Sequence, residues 1–348
     1  MSALEAAQGL AVRPLETHAC WTAADVADSD GWTYWLGDEE IAELESALAV
    51  ARSHTDEVLD VDRSLFPLPT LAPALEQLAD ELINGRGFCR ISALPVESLG
   101  FEDASWMYWG IGLHLGVPWP QNVKGHLLGD VKDQGKSVDD PTVRGNELGG
   151  VAQAFHSDGS DLIGLLCLDP GVSGGESLVA NAVAAHNLLV ESDPELAAVL
   201  YGALPYDFRG EQGKGGDPFY RVPVFTEHGD RLFVRYIRPY IEASQRHAVA
   251  PRLSDAQRAA MDAYDALIYD PDNRVEMTFE PGDMQFVNNY HVLHGRNAYQ
   301  DDPGAGRVRW LKRLWLATEI LGPQDRPRQF QSAGATQHWS ARRTRAGA

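Results

Sequence analysis

The chain has 348 residues, 44% of them hydrophobic and 23% charged, which is enough apolar material for one large core or two modest ones. Its 29 Lys+Arg against 50 Asp+Glu give a formal net charge of −21, a field that repels duplex nucleic acid and anionic membrane surfaces and argues against either as a partner. Cys20, Cys89 and Cys167 are too few for a disulfide framework, no apolar run approaches the ~18 residues of a membrane span, and the opening MSALEAAQGLAVRPLE has no basic flank or long apolar stretch, so the expectation is a cytoplasmic protein.

In chain order, the first third reads helical. Residues 38–53 place Ile41, Leu44, Leu48 and Ala51 at helical spacing, and Thr70 is positioned to cap a second run, with Leu75, Leu78 and Leu82, that ends at Asn84-Gly85. GFCRISAL (87–94) alternates as a strand, and 101–115 reads as an aromatic-rich helix. From Leu127 the texture turns to β: LLGDV, DLIGLLCL and GGESLVAN are short, apolar or β-branched, and bounded by Gly, Pro or Asp. An insertion over about 184–272 follows, with helical runs near 182–189 and 194–201, the second capped by Asp193 with Pro194 at its first position. The capping-box spacing of Ser254 and Gln257 opens a further helix to about Tyr269. Strands resume at 275–279, 284–287 and 309–317, with Pro281-Gly282 turning between the first two.

Strands divided by a helical insertion and completed late imply one domain, 1–324, not two. Its parts are a helical N-terminal region (1–125) and a β core (126–320) that carries the insertion. The expected class is mainly β with flanking helices. Residues 325–348, with five arginines and one acid, read as a loosely attached basic tail.

The chemistry begins with histidine. Eleven histidines in a chain with 50 Asp+Glu produce His-x-Asp/Glu about once or twice by chance, and three such pairs occur, so context must choose among them. His54-Thr55-Asp56 ends a helical run, and His228-Gly229-Asp230 sits at a hairpin tip between VPVF and RLFVRY. His156 and Asp158 instead precede the apolar strand 162–168, and residues i and i+2 on a strand share a face, so the pair can hold adjacent positions on one metal ion. A third ligand must come from another strand, where FVNNYHVLHGRNAY offers His291 and His294. Two nitrogens and a carboxylate on one face of an octahedral ion leave open positions, the arrangement of non-haem Fe(II) oxygenases. Arg309 and Arg313 in RVRWLKRLWLA share one face of an apolar strand, and buried arginines without a carboxylate in the same run want an anion such as a dicarboxylate co-substrate.

This ordered set, FHSDGSD, SGGESLVAN, PGDMQFVNNYHVLHGRNAY and RVRWLKRLWL, resembles the TauD/TfdA-like family of Fe(II)/2-oxoglutarate-dependent dioxygenases over roughly residues 125–318. The resemblance implies a double-stranded β-helix (jelly roll) core. It implies His156, Asp158 and His294 as iron ligands, Ser177 as a hydroxyl donor to 2-oxoglutarate, Arg313 as the clamp on its far carboxylate and Arg309 as an assistant. It also implies O2 as oxidant, release of succinate and CO2, and oxidation of a substrate C–H bond by hydroxylation, desaturation or cyclisation. Asp158 stands where halogenases of related fold carry a small residue, which disfavours halogenation.

The segment 188–269 departs from the family, so no substrate contact transfers. Gln121 and Asn122, after Trp119-Pro120, and Arg238 in VRYIRPY are the candidates. The expected partner is a small molecule such as an amino acid or carboxylate, and a homo-oligomer is compatible with the sequence. Rival readings are a non-catalytic jelly-roll binding protein and a zinc-type metallohydrolase using the same ligands, which has no use for a buried arginine at the end of the barrel. The insertion is where a covering lid is expected.

Overall fold

The computed structural model describes residues 12–330 except positions 18 and 214. In the N-terminal third, β1 (Thr33–Trp35), β2 (Phe88–Ser92) and β3 (Val117–Pro118) alternate with α1 (Asp38–His54), α2 (Ala72–Asn84) and α3 (Val96–Leu115). α1 carries Asp38, Glu39 and Glu40 in its first turn and Arg52 and His54 in its last, the polarity that a helix dipole favours. Thr70 does not cap α2: its N–H donates to Glu43 of α1 at 2.7 Å, and Leu71 takes the cap position. α3 starts at Val96 and kinks at Gly100, whose φ of 80° suits a residue without Cβ.

The middle of the chain supplies β4 (Leu128–Lys132), β5 (Gln153–His156), β6 (Leu162–Asp169) and β7 (Ser177–Asn181). The insertion then holds α4 (Ala182–Ser192), α5 (Pro194–Leu200), β8 (Ala203–Asp207), β9 (Phe219–Pro223), β10 (Phe225–His228), β11 (Arg231–Val234), α6 (Arg238–Ala243) and α7 (Asp255–Ile268). It is therefore mixed, not helical: β8 pairs with β9 and β10 with β11. Its strands are short and two contain proline, so their sequence signal is weak. The core closes with β12 (Arg274–Met277), β13 (Met284–Asn288), β14 (Val292–Arg296) and β15 (Trp310–Ala317).

Two sheets face each other. The larger runs β1-β2-β13-β6-β15-β3, with β4 also paired to β15, and the smaller runs β12-β7-β14-β5. Alternation along β6 explains the layers: Leu162, Leu166 and Leu168 face the N-terminal helices, while Ile163 and Cys167 face the smaller sheet with Val179, Val292, Leu311 and Trp315. The insertion packs its own apolar cluster, including Tyr206, Phe225, Tyr236 and Tyr264, against the far side of the smaller sheet through Ala180 and Leu293.

The expectation of a tail loose from residue 325 fails for its first residues. Arg326 is buried and donates to the fully buried Asp161, while Phe330 packs on Phe233 and Tyr290 with ring centroids 5.8 and 5.4 Å away. A buried carboxylate needs a cation, and this segment provides it. Residues 331–348 lie outside the described part. Among the described residues no helix is long and apolar enough to cross a membrane.

Candidate metal centre and its two cavities

Strand register brings the distant histidines together. β14 runs antiparallel to β5 with His294 opposite His156, and directly opposed side chains on one sheet face are neighbours; the two rings lie 4.2 Å apart. Asp158 follows β5 in a loop fixed from two sides. The Asn289 side chain accepts its N–H at 2.9 Å, and the Arg235 guanidinium donates to the carbonyls of Ser157, at 2.9 Å, and Asp158. Ligand atoms of His156, Asp158 and His294 all lie within 4.8 Å of one another, and each imidazole Nε2 is 3.9 Å from a different oxygen of Asp158.

The electrostatics suit a cation. Burial alone would raise the Asp158 carboxyl, but Arg313 at 3.6 Å, the two imidazoles and the Trp315 indole N–H at 2.9 Å outweigh it and hold the group well below the usual carboxylate range. Burial lowers both histidines, His294 to about 3 with help from His156, so both rings are neutral at neutral pH. His156 Nδ1 lies 2.9 Å from the Ala154 carbonyl, which leaves the lone pair on Nε2. His294 Nδ1 is buried without a hydrogen-bond partner. Two neutral imidazoles and a carboxylate form the donor set of a divalent first-row metal, so these residues fit one.

Two cavities meet at this cluster. The inner one, about 40 Å³, is lined by Ser177, Arg296 and Arg309 at one end and by His156, His294 and Arg313 at the other. Arg309 donates to the Gly175 carbonyl at 3.1 Å and lies over the Tyr299 ring, 5.2 Å from its centre. Burial, with Arg296 beside it, pushes the Arg309 guanidinium down to about 10, the mark of a cation short of an anion. The paired glycines of SGGES have a physical reason here: Gly175 has φ of 77°, and a Cβ on it would meet Arg309 Nε at 2.7 Å. Ser177 is buried, and its hydroxyl donates to Gln285 at 2.9 Å.

The expected roles of the two arginines do not match their places. Arg313 stands beside Asp158, the metal end, because residues 313 and 315 share a face of β15 that meets the Asp158 loop. Arg309, beyond the strand, is the one at the closed end with the Gly175 loop beside Ser177. Of the suggested substrate contacts, Gln121 lines the outer cavity but is occupied: its amide donates to the Leu127 and Arg313 carbonyls, and its oxygen accepts from Arg313 Nε at 2.7 Å. It positions Arg313. Asn122 is turned into its own loop, where its oxygen accepts the N–H groups of Lys124 and His126. Arg238 is paired with Glu242, Asp262 and Asp265 and lines neither cavity.

His54 ends α1 and His228 bonds the Gln324 carbonyl from the β10–β11 turn, so both lie away from the cluster. His291 is buried apart from it, lowered to about 4 by burial and then by Arg231. The sequence reading missed Arg144 and Arg235, which line the outer cavity, and Arg296. Arg296 could have been found, because it is two residues past His294 on one strand and opposite Ser177 in register. No local signal marks Arg235.

A jelly roll with a buried His/Asp/His cluster between its sheets is the architecture of a non-haem-iron oxygenase. The family model for the taurine catabolism dioxygenase TauD, TfdA family matches residues 55–315. FR-33289 synthase of Streptomyces rubellomurinus is 31% identical over 330 residues, 94% of this chain and 95% of that protein. A taurine hydroxylase-like protein of Stachybotrys chartarum is 24% identical over 310 residues, 86% of this chain and 79% of its own length. In fold, an asparagine oxygenase solved with Fe(II), hydroxyasparagine and succinate superposes with TM-score 0.64 at 18% identity, covering 82% of this chain and 94% of that one. The non-haem iron oxygenase OrfP solved with iron and α-ketoglutaric acid gives 0.61 at 17% identity, covering 82% and 93%. The chain belongs to the TauD/TfdA family, and it is an Fe(II)/2-oxoglutarate-dependent dioxygenase.

Proposed function

We propose that His156, Asp158 and His294 hold Fe(II), that Ser177 and Arg309 seat the far carboxylate of 2-oxoglutarate in the inner cavity, and that the outer cavity receives a small organic acid or amino acid. The observation that carries this reading is the junction: His156 and Arg313 line both cavities, and the other two candidate ligands each line one. When bound, iron supplies the redox chemistry with O2 and 2-oxoglutarate that ends in succinate, CO2 and an oxidised substrate C–H bond.

The chain's own residues do the positioning. Trp315 and Arg313 orient the Asp158 carboxylate, and Gln121 in turn fixes Arg313. Arg296 donates to the Val151 carbonyl at 2.7 Å and so ties the loop before β5 to the closed end. Water is limited by contacts across the outer cavity, where Arg144 pairs with Glu211 and Arg209 donates to the Val143 carbonyl. The cover thus joins the insertion to the loop before β5. Hydroxylation is the default outcome, and desaturation or cyclisation would use the same residues on a differently held substrate.

Relatives support a small polar substrate: the solved neighbours carry hydroxyasparagine or hydroxy-L-arginine, and another relative is an enduracididine β-hydroxylase. We read the described chain through Phe330 as one catalytic unit, and its three free cysteines fit a reducing cytoplasm. Anaerobic addition of Fe(II) and then 2-oxoglutarate should produce a weak visible charge-transfer band. Metal-loaded protein without that band overturns the assignment.

A further inference from the structure

The outer cavity, about 270 Å³, is lined by four guanidiniums, Arg144, Arg209, Arg235 and Arg313, in a chain whose net charge is −21. Three carboxylates share its wall, and each is already committed. Asp158 faces Arg313 and the two histidines. Asp207 is fully buried and bound by Arg246 at 2.7 Å, by His247 at 3.2 Å and by the Arg209 backbone N–H. Glu211 is paired with Arg144.

Two of the four cations have no such partner. Arg235 is 7% exposed, and its guanidinium meets only the Ser157 and Asp158 carbonyls and, at 3.4 Å, the Tyr220 hydroxyl. Arg209 donates to the Val143 carbonyl and lies over the Tyr240 ring, 4.9 Å from its centre. Among the described residues the Nε of each is buried without a hydrogen-bond partner, and neither forms an ion pair. A desolvated guanidinium is costly until an anion meets it, and carbonyl oxygens compensate only part of its charge.

We propose that, of the acid and amino-acid classes named above, the substrate is an acid: it enters with an anionic head group, a carboxylate or a phosphate, seated against Arg209 and Arg235, and the cavity has no seat for an ammonium group. This rests on the outer cavity being the substrate site. An ammonium would have to take Glu211 or Asp207 from its present cation and leave a guanidinium stranded, so rejection of cations is built in. The preference rests on Arg209 and Arg235, both in the insertion. It separates the protein from its amino-acid-oxidising fold neighbours, whose substrates carry an ammonium group.

The test is a ligand-observed NMR titration of the metal-free full chain with propyl phosphate, butyrate, 4-aminobutyrate and n-butylamine. Propyl phosphate, butyrate or both should bind, which also fixes the acid class; 4-aminobutyrate should bind at least tenfold more weakly than the better anion, and n-butylamine not at all. Arg235→Gln and Arg209→Gln should each weaken the bound anion at least tenfold, Arg235→Lys should restore part of the loss, and Arg258→Gln, exposed on α7, should change it less than twofold. Should Arg235→Gln fail to fold, Arg209→Gln, on a partly exposed turn, decides alone. Binding of n-butylamine as strong as that of the anions, no binding by either anion, or unchanged affinity in both glutamine variants overturns the proposal. A visible iron–oxoacid band without anion binding removes this subsite alone; anion binding without the band removes the iron assignment alone.

Discussion

The inner and outer cavities share a wall, Asn146, Gln153, His156 and Arg313, but are built by different means. The inner one is a product of β register: Ser177 opposite Arg296 and His294 opposite His156 follow once β5, β7 and β14 pair. The outer one is assembled from segments with no common period, the loop before β5, the turn after β8 and the end of β11, and is held by the Arg144–Glu211 pair and by bonds from Arg209 and Arg235 to backbone carbonyls. Regular strands fix the reaction that the family shares, and irregular segments choose what undergoes it.

Six substitutions break or sharpen that contrast. His156→Ala, at the shared wall, should abolish the iron–oxoacid band and turnover together, with metal affinity down at least ~100-fold by metal analysis of the desalted protein. Arg326→Ala strands Asp161 without its cation and should cost about 3–5 kcal/mol in denaturant unfolding. Arg309→Gln, confined to the inner cavity, should spare iron content but raise KM for 2-oxoglutarate roughly 10- to 100-fold, as expected when a charged hydrogen bond is lost. Arg313→Gln should instead disturb the metal end, and if it acted only on the oxoacid the two arginines would have been interchanged. His54→Ala and His228→Ala, outside both cavities, should leave iron binding intact and stability within about 0.5 kcal/mol.

The same contrast governs how much was legible in the sequence. β6 announced itself because both its faces are buried, in one layer against helices and in the other against the smaller sheet. His156 and Asp158 were readable because they sit at i and i+2 before a buried strand, whereas the motif offered both His291 and His294 and only the family resemblance chose between them. The exchange of roles proposed for Arg309 and Arg313 was not readable, since face periodicity says that they align but not which reaches the Asp158 loop. Strand β15 ends that ambiguity through Trp315, which shares the Arg313 side and bonds Asp158. The outer cavity was hardest. Arg238 and Arg235 stand three residues apart in VRYIRPY, and only the tertiary path after β11 sends one into the cavity and the other to a surface ion-pair cluster. Asn122 misled because Trp-Pro-Gln-Asn reads as an exposed loop near a site, while its side chain is spent closing its own turn.

The bond between Arg326 and Asp161 also sets an order of events during synthesis. Asp161 leaves the ribosome long before its counter-ion, and β15, which fills the place between β6 and β3 in the larger sheet, emerges only shortly before Arg326. A nascent chain therefore carries an uncompensated carboxylate three residues from a candidate metal ligand until Arg326 emerges, and such sequence-distant closures are slow. A stop codon placed before residue 326 would yield a protein with every candidate metal ligand present and the Asp161 loop unbraced.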